Sequence, residues 1–444
     1  MLNRKIKIKL STLLLFSLFF FSIIFQSNIS NNHYSEDNEY KYLSNAIKSA
    51  TDRPDVVIFI NGSSESWQDA KDKGWVSSGD GTSNNPYIIA NLEIDCENWK
   101  TGILIENYGY NSFYFRIENC TFKNIGPNDG TKAGITLYQV DFSNYYTQGH
   151  GVIQNNIFET NFPQSNYGFY SYRSSNHTIS NNTFTGFKYG IFMDNETSLC
   201  TITENYLENN QNGIFMDRSC YEINITENIL RNNLLSGMYI INCYDLLISN
   251  NKIEDNTNFG IILSNCFIGY DPWLWIWREP IFVQDNTISK NKYGLFLESC
   301  SGQQIIANEI SENSGQGVFI FFSNDNNITD NIISDNIEIG LILDASINNR
   351  IYRNFFLRNG EHANGFNYIN NFSMGGLGNY WDNYTGSDVD DNGIGDAWHN
   401  FTGGRDKYPI YNDGIEGDII EIDAWATGVG AHNWTWARNR FWCS

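Results

Sequence analysis

A glycine-led strand returns along this chain about every 23 residues, and that recurrence restricts the fold more than any other feature of the sequence. The copies are GFYSY at 168, GIFMD at 190 and 213, GMYII at 237, GIILS at 260, GLFLE at 294, GVFIF at 317 and GLILD at 340. The steps are 22, 23, 24, 23, 34, 23 and 23 residues, and the long one carries an insertion over 269–280 with Trp273, Trp275 and Trp277. Each unit adds a second short strand and an Asn turn, as in TISNNTF (178–184), TITENYL (201–207) and NITENIL (224–230). Strands this short, with period-two alternation broken by Gly, Asn, Asp and Ser, contain no helical period. One unit cannot bury its own apolar face, whereas rungs stacked ~4.8 Å apart can. The repeat therefore predicts an all-β fold, a parallel β-solenoid with three short strands and three turns in each coil of about 23 residues. Asn suits the bends because it tolerates left-handed backbone and its stacked amides can hydrogen-bond from rung to rung.

Alternation assigns faces. The first and third positions after the glycine (Ile191 and Met193, Ile214 and Met216, Leu341 and Leu343) point inward. The second and fourth point outward and form two ladders. The second-position ladder includes Phe192, Phe215, Tyr239 and Phe296; the fourth includes Asp194, Asp217, Glu298 and Asp344. Aromatic faces stack on sugar rings and flanking carboxylates bond hydroxyls, so these residues are the candidate ligand strip. Asp194 and Asp217, on adjacent rungs ~5 Å apart, have the separation of a retaining glycosidase pair and are the candidate catalytic residues, weighed against two solvated surface acids. No basic cluster accompanies the strip, and the polygalacturonase pairing of a GxDD or NTD segment with an RIK segment is missing.

The net charge of −22 argues against a nucleic-acid partner and disfavours an anionic polysaccharide without a bridging cation. A neutral glycan, a cation or a protein fits better. Arg4, Lys5, Lys7 and Lys9 precede an apolar run from Leu10 to Phe25, which reads as a signal peptide or an uncleaved membrane anchor over 1–30. An exported chain would offer sequons such as Asn195, Asn371 and Asn400 for glycosylation, although so Asn-rich a sequence also produces sequons by chance. A short helix is expected over 34–53, within an N-terminal cap and first strands over 31–100. Coils follow over 101–375, then a closing segment over 376–411 and an extension of unread role over 412–444.

Two end segments carry a family resemblance. Trp75-Val-Ser-Ser-Gly-Asp-Gly-Thr-Ser-Asn-Asn-Pro-Tyr-Ile-Ile-Ala-Asn-Leu-Glu-Ile-Asp95 resembles the opening segment of archaeal NosD-like surface proteins. Asn379-Tyr-Trp-Asp-Asn-Tyr-Thr-Gly386, with 388–396 and Asp406-Lys-Tyr-Pro409, resembles their closing segment. The resemblance covers about 54–411 and implies a right-handed parallel β-helix of the pectate-lyase-like superfamily in an extracytoplasmic setting. It implies no reaction, because one architecture serves many functions.

Asp388, Asp390, Asn392 and Asp396 occupy positions 1, 3, 5 and 9 of a loop with Gly393 at position 6, the oxygen spacing of a calcium site. His399 replaces the usual position-12 Glu. The expected cofactor is a structural Ca²⁺ locking the C-terminal end, weighed against a self-solvating acidic turn. Cys220, Cys243, Cys266 and Cys300 fall at one coil corner and read as an inward thiol ladder rather than disulfides. The NosD label implies copper, and soft thiols would take Cu(I), but buried thiols without His argue against it. The six His (33, 150, 177, 362, 399, 432) share no metal-ligand spacing and read as isolated. Together these readings describe an exported cell-surface β-helix that binds carbohydrate or builds the envelope. Its partner is a glycan or envelope component, and it meets a membrane only through an uncleaved N-terminal segment. A polysaccharide lyase or glycoside hydrolase working on the outer strip is the alternative, and a purely structural or adhesive protein a third.

Overall fold

The computed structural model describes residues 53–107, 113–126, 132–140, 150–160, 166–271, 276–365 and 369–411. The N-terminal segment over 1–30, the helix expected over 34–53 except its last residue, Trp273, Trp275, Cys443 and the 412–444 extension lie outside the described residues.

Three parallel sheets of 12, 11 and 12 strands run through the coils, each strand pairing with its counterpart one coil away. The first sheet extends from Val56–Ile60 to Glu361–Gly365, the second from Tyr87–Ala90 to Arg350–Tyr352, the third from Glu93–Asp95 to Tyr380–Trp381. The architecture is a right-handed parallel β-helix. The glycine-led strands stack in the register the repeat predicts: Ile191 opposite Ile214, Phe192 opposite Phe215, Met193 opposite Met216, Asp194 opposite Asp217. The insertion forms a small antiparallel hairpin, Gly269–Asp271 with Ile276–Arg278, and leaves the stacking untouched.

The inward assignment holds. Ile191, Met193, Ile214, Met216, Leu341 and Leu343 are all buried, and each such side chain contributes about 1.5–3 kcal/mol on leaving water. The third sheet adds a ring stack, Phe122 on Phe158 on Phe184, with centroids 4.6 and 4.5 Å apart.

The leading glycines do not open a turn. Their φ angles are not left-handed; a Cβ on Gly190 would lie 2.8 Å from the Gly213 carbonyl of the next rung and 2.9 Å from Leu207. Close rung-to-rung approach, not backbone freedom, requires glycine here.

The Asn-rich bends separate into two roles. At the turn between second and third sheets the left-handed residue is Asn155, Asn181, Glu204, Glu227, Asn250, Asp285, Ala307 and Asp330 in successive coils, so its side chain is free to vary. The next residue is Asn in every coil from Asn156 to Asn379, and those side chains are buried. Each Nδ2 donates to the Oδ1 one rung on: Asn205 to Asn228 at 3.0 Å, Asn228 to Asn251 at 3.0 Å. The same Oδ1 also accepts a backbone N–H, as Asn228 does from Asn205 at 3.0 Å. A second ladder runs from Asn210 through Asn233 and Asn256 to Asn359. Hydrogen bonding that completes buried backbone groups, rather than left-handed tolerance, fixes Asn at these positions.

Both array ends are closed. At the N-terminal end, helix Ser64–Asp72, capped by Ser63 Oγ accepting from Ser66 N at 3.1 Å, buries Trp67 against Tyr87 with centroids 4.4 Å apart. At the C-terminal end Asp406, fully buried, accepts from Asn379 N at 2.7 Å, Asn379 Nδ2 at 3.2 Å, Trp381 Nε1 at 3.0 Å and Tyr408 N at 3.0 Å. Burial pushes its pKa upward while these donors pull it down.

Candidate functional site

The outer strip differs from its expected form. Phe192, Phe215 and Tyr239 stand on the outer face, yet they are only 7%, 9% and 6% exposed. Where the residue preceding the glycine is aromatic, as at Tyr167 and Tyr189, its ring closes over the strip, whereas Asn212 and Ser236 hold that place on the next two rungs. Tyr189 meets Phe192 edge-on at 5.2 Å and stacks on Phe215 at 4.3 Å. Alternation along one strand does not reveal this sideways cover. Phe296 remains half-buried, beside Phe319 at 5.1 Å. Glu298 is half-buried and accepts from Ser264 Oγ at 3.2 Å; burial raises the pKa of Asp344. The strip is a largely self-covered apolar face whose polar features lie along its fourth-position edge.

Asp194 is the largest correction: it does not face water and is fully buried. Arg218, from the turn after the next rung, reaches back and clamps it, Nε to Oδ1 at 2.7 Å and Nη2 to Oδ2 at 2.6 Å. Tyr170 Oη donates to Oδ2 at 3.0 Å. Burial raises the carboxyl to about 6, against the opposing pull of Arg218, so it is ionised at neutral pH. Asp217 is partly exposed and engaged differently, its Oδ1 accepting from Arg218 N at 2.6 Å and Asn242 Nδ2 at 3.1 Å. The two acids are rung neighbours, but each is bound to its own donors. An arginine therefore does lie on the strip, and the Asp-Arg dipeptide 217–218 was its signal: a long cation one residue past the strand can reach the acid one rung back.

Beside this clamp, Tyr138 and Tyr172 stack at 4.8 Å and 7°. Arg173 lies over the Tyr172 ring at 5.6 Å and pairs with Glu196 at 3.7 Å. Arg218 keeps half of its side chain exposed, and among the described residues its fork donates through Nε and Nη2.

The loop 388–396 is wound tightly on its own oxygens. Asp388 accepts from Asn392 N at 3.2 Å and Gly393 N at 2.7 Å, and Asp396 from Val389 N at 2.7 Å. Asn392 Oδ1 accepts from Ile394 N at 2.8 Å, and its Nδ2 donates to Asp390 at 2.9 Å. Gly393, at φ +80°, supplies the sharp turn that position six demands. Among the described residues no three His, Cys, Asp or Glu side chains converge as a metal cluster.

Two of the histidines read as isolated come together in space. His362 and His399 line one cleft at the C-terminal end, with Glu361, Asn383, Asn400 and Thr402. The second Asn ladder fixes the His362 tautomer. Asn359 Oδ1 is occupied by Asn336, so its Nδ2 donates to His362 Nδ1 at 3.3 Å and His362 Nε2–H donates to Asp382 at 2.7 Å. His399 stacks on Trp381 at 4.6 Å; burial, and then His362, lower its pKa to about 4, so it is neutral at pH 7. Spacing along the chain carries no sign of this meeting, because the coil brings residues 362 and 399 together only after the array has ended.

All seven described cysteines are free and buried, as the ladder reading requires. Cys243 Sγ donates to Ile241 O at 3.1 Å, as Ser323 Oγ does to Phe321 O at 2.8 Å two coils beyond Cys266. Thiol and hydroxyl are interchangeable in this slot because each only has to satisfy a nearby carbonyl. Burial pushes Cys200 up to about 12 and Cys243 and Cys300 well above the usual thiol range, which keeps them neutral.

Two family models match. Residues 278–386 match the family described as periplasmic copper-binding protein (NosD), and 101–268 match the right handed beta helix region. Both bear out the NosD-like β-helix resemblance, and neither speaks to an archaeal source. The curated proteins give no match. Among solved structures, a double mutant of the periplasmic alginate epimerase AlgG is 17% identical, covering 75% of this chain and 74% of that one, with a TM-score of 0.48. The mannuronan C-5 epimerase AlgE4 A-module of Azotobacter vinelandii is 14% identical, covering 72% and 96%, with a TM-score of 0.46. The Dettilon tailspike protein is 14% identical, covering 74% and 66%, with a TM-score of 0.42.

Proposed function

We propose that this protein is an exported, envelope-associated β-helix that binds a neutral glycan at the fourth-position edge of its first sheet. The observation that carries this reading is the Asp194–Arg218 clamp beside the Tyr138–Tyr172 stack. A buried acid holds the guanidinium in one orientation, so the entropic cost of ordering a long side chain is met before any ligand arrives. Arg218 Nη1 then donates to a sugar hydroxyl, Asp217 accepts from one, and the stacked tyrosine rings support the apolar face of the pyranose. The NosD match and the basic-apolar N-terminus support the extracytoplasmic setting. Ligand spacing at Asp388, Asp390, Asn392 and Asp396 supports a structural calcium ion at the C-terminal end.

The hydrolase and lyase alternative loses its main support. A nucleophile or general base must reach substrate, and Asp194 is both buried and neutralised by Arg218.

Affinity electrophoresis against neutral polysaccharides tests the proposal. Removing Arg218 alone strands a buried charge, so the informative variant is Asp194→Asn/Arg218→Gln, which keeps a neutral hydrogen-bonded pair. Losing hydrogen bonds from a charged donor, at ~1.5–3 kcal/mol, corresponds to about 10- to 100-fold weaker retardation. Unchanged retardation in that variant and in Tyr172→Ala would refute the site. Release of reducing or unsaturated ends that vanishes in Asp194→Asn would restore the enzyme reading.

A further inference from the structure

The C-terminal end holds a second concavity, built from residues outside the strip. Asn359, Glu361, His362 and Thr402 line one arm, of about 230 Å³. Tyr384, Thr385, Gly386 and Trp398 line the other, of about 460 Å³. The arms share Asn383, His399 and Asn400, so they form one bent cleft. Each arm is small, and the larger falls within the roughly 300–1,000 Å³ of small-molecule sites.

Its chemistry is specific. The floor is rigid: His399 stacks on the buried Trp381, and His362 is held between Asn359 and Asp382. The walls offer a carboxylate at Glu361, amides at Asn383 and Asn400 and a hydroxyl at Thr402, so one cleft carries both acceptors and donors. Asn383 and Asn400 are exposed rather than locked into a ladder. At the mouth stands Trp398, 51% exposed, with the Arg405 guanidinium 4.3 Å from its ring centroid. That cation–π contact holds the indole in place. A large exposed indole costs solvation, and here it flanks a polar cleft instead of filling a core. An aromatic platform beside alternating hydrogen-bond donors and acceptors recognises a pyranose: C–H faces on the ring, hydroxyls on the amides and carboxylate.

We propose that this cleft is a saccharide-binding site, independent of the strip, which takes the end of a neutral glycan with one sugar on Trp398 and its hydroxyls on Asn383, Asn400 and Glu361. With the strip site, it would let one molecule hold two glycan segments.

Saturation-transfer NMR and titration calorimetry with defined neutral tetrasaccharides (cello-, malto-, manno- and chito-oligosaccharide) test this on the full chain. Trp398→Ala and Asn383→Ala/Asn400→Ala truncate exposed side chains, so their melting temperatures should match wild type. Each should weaken binding about tenfold or more, while Asp194→Asn/Arg218→Gln retains this binding. Binding that survives both cleft variants, or that only the Arg218 variant removes, overturns the cleft and leaves the strip standing. No binding by any of the four sugars overturns the cleft as a saccharide site. Binding lost in the cleft variants but kept in the strip variant supports the cleft even if the strip reading fails.

Discussion

Replacing Asn228 with alanine tests the principle on which the array is built. Asn228 Oδ1 is the only acceptor described for the Asn205 backbone N–H, at 3.0 Å, and Asn228 Nδ2 donates to Ile202 O at 2.9 Å. Both groups are buried between coils. Alanine fills neither role: the stranded Asn205 N–H costs ~1–3 kcal/mol and the lost amide hydrogen bonds about 1 kcal/mol more, a loss of about 2–4 kcal/mol, while Ile202 O keeps its strand-pairing partner. The control is the preceding residue: Glu227 is left-handed at φ +58° and exposed, and Ala307 already occupies the equivalent slot. Glu227→Ala should therefore stay within about 0.5 kcal/mol of wild type. Urea unfolding followed by circular dichroism reads both, compared at their midpoints because repeat arrays need not unfold in one step. Equal shifts in the two variants, or a loss below about 1 kcal/mol for Asn228→Ala, would show that the ladder is incidental to stability.

Further outcomes follow from the same geometry. Gly213→Ala should destabilise by about 1–3 kcal/mol, since its Cβ would sit 2.7 Å from the Gly237 carbonyl; thermal unfolding unchanged from wild type would contradict the close-approach argument. Asp194 is raised to about 6 from a normal value of 3.8, so the stability it contributes is present in acid and lost as pH rises through about 6. The stability of wild type relative to Asp194→Asn should accordingly grow by about 1 kcal/mol between pH 7.5 and pH 5, and a difference that shrinks instead would refute the burial argument. If calcium occupies 388–396, chelation lowers the melting temperature and added Ca²⁺ restores it, whereas Asp388→Ala abolishes the response; an indifferent melting curve would remove the ion from this loop.

The fold was legible because its determinants are local and repeated. Ile191 and Met193 alternate with Phe192 and Asp194 in one strand, and the same alternation recurs on the next rung, so face and register could both be read. What could not be read depended on contacts between elements. Phe192 is covered by Tyr189 across a glycine at which rung spacing, not alternation, sets the geometry. Asp194 is buried by a side chain 24 residues later in the chain, and such a reach has no periodic trace. The cleft lies beyond the last regular coil, where the period that guided the reading has ended. The sequence places a cap and first strands together over 31–100 without locating a helix there; Ser64–Asp72 is that helix, capped by Ser63 and burying Trp67.

The amide ladders also give the array a direction. Every described amide-to-amide bond in the first ladder runs from one rung to the next toward the C-terminus, so each coil offers an amide acceptor to the coil before it and an amide donor to the coil after it. Coils are therefore interchangeable links with matching ends. A unit of about 23 residues added or removed would meet the same seam on either side. Asp406 marks where the sequence of links must stop. The Asp406 carboxyl accepts the final donor and carries no amide N–H to pass on, so the amide ladder ends there.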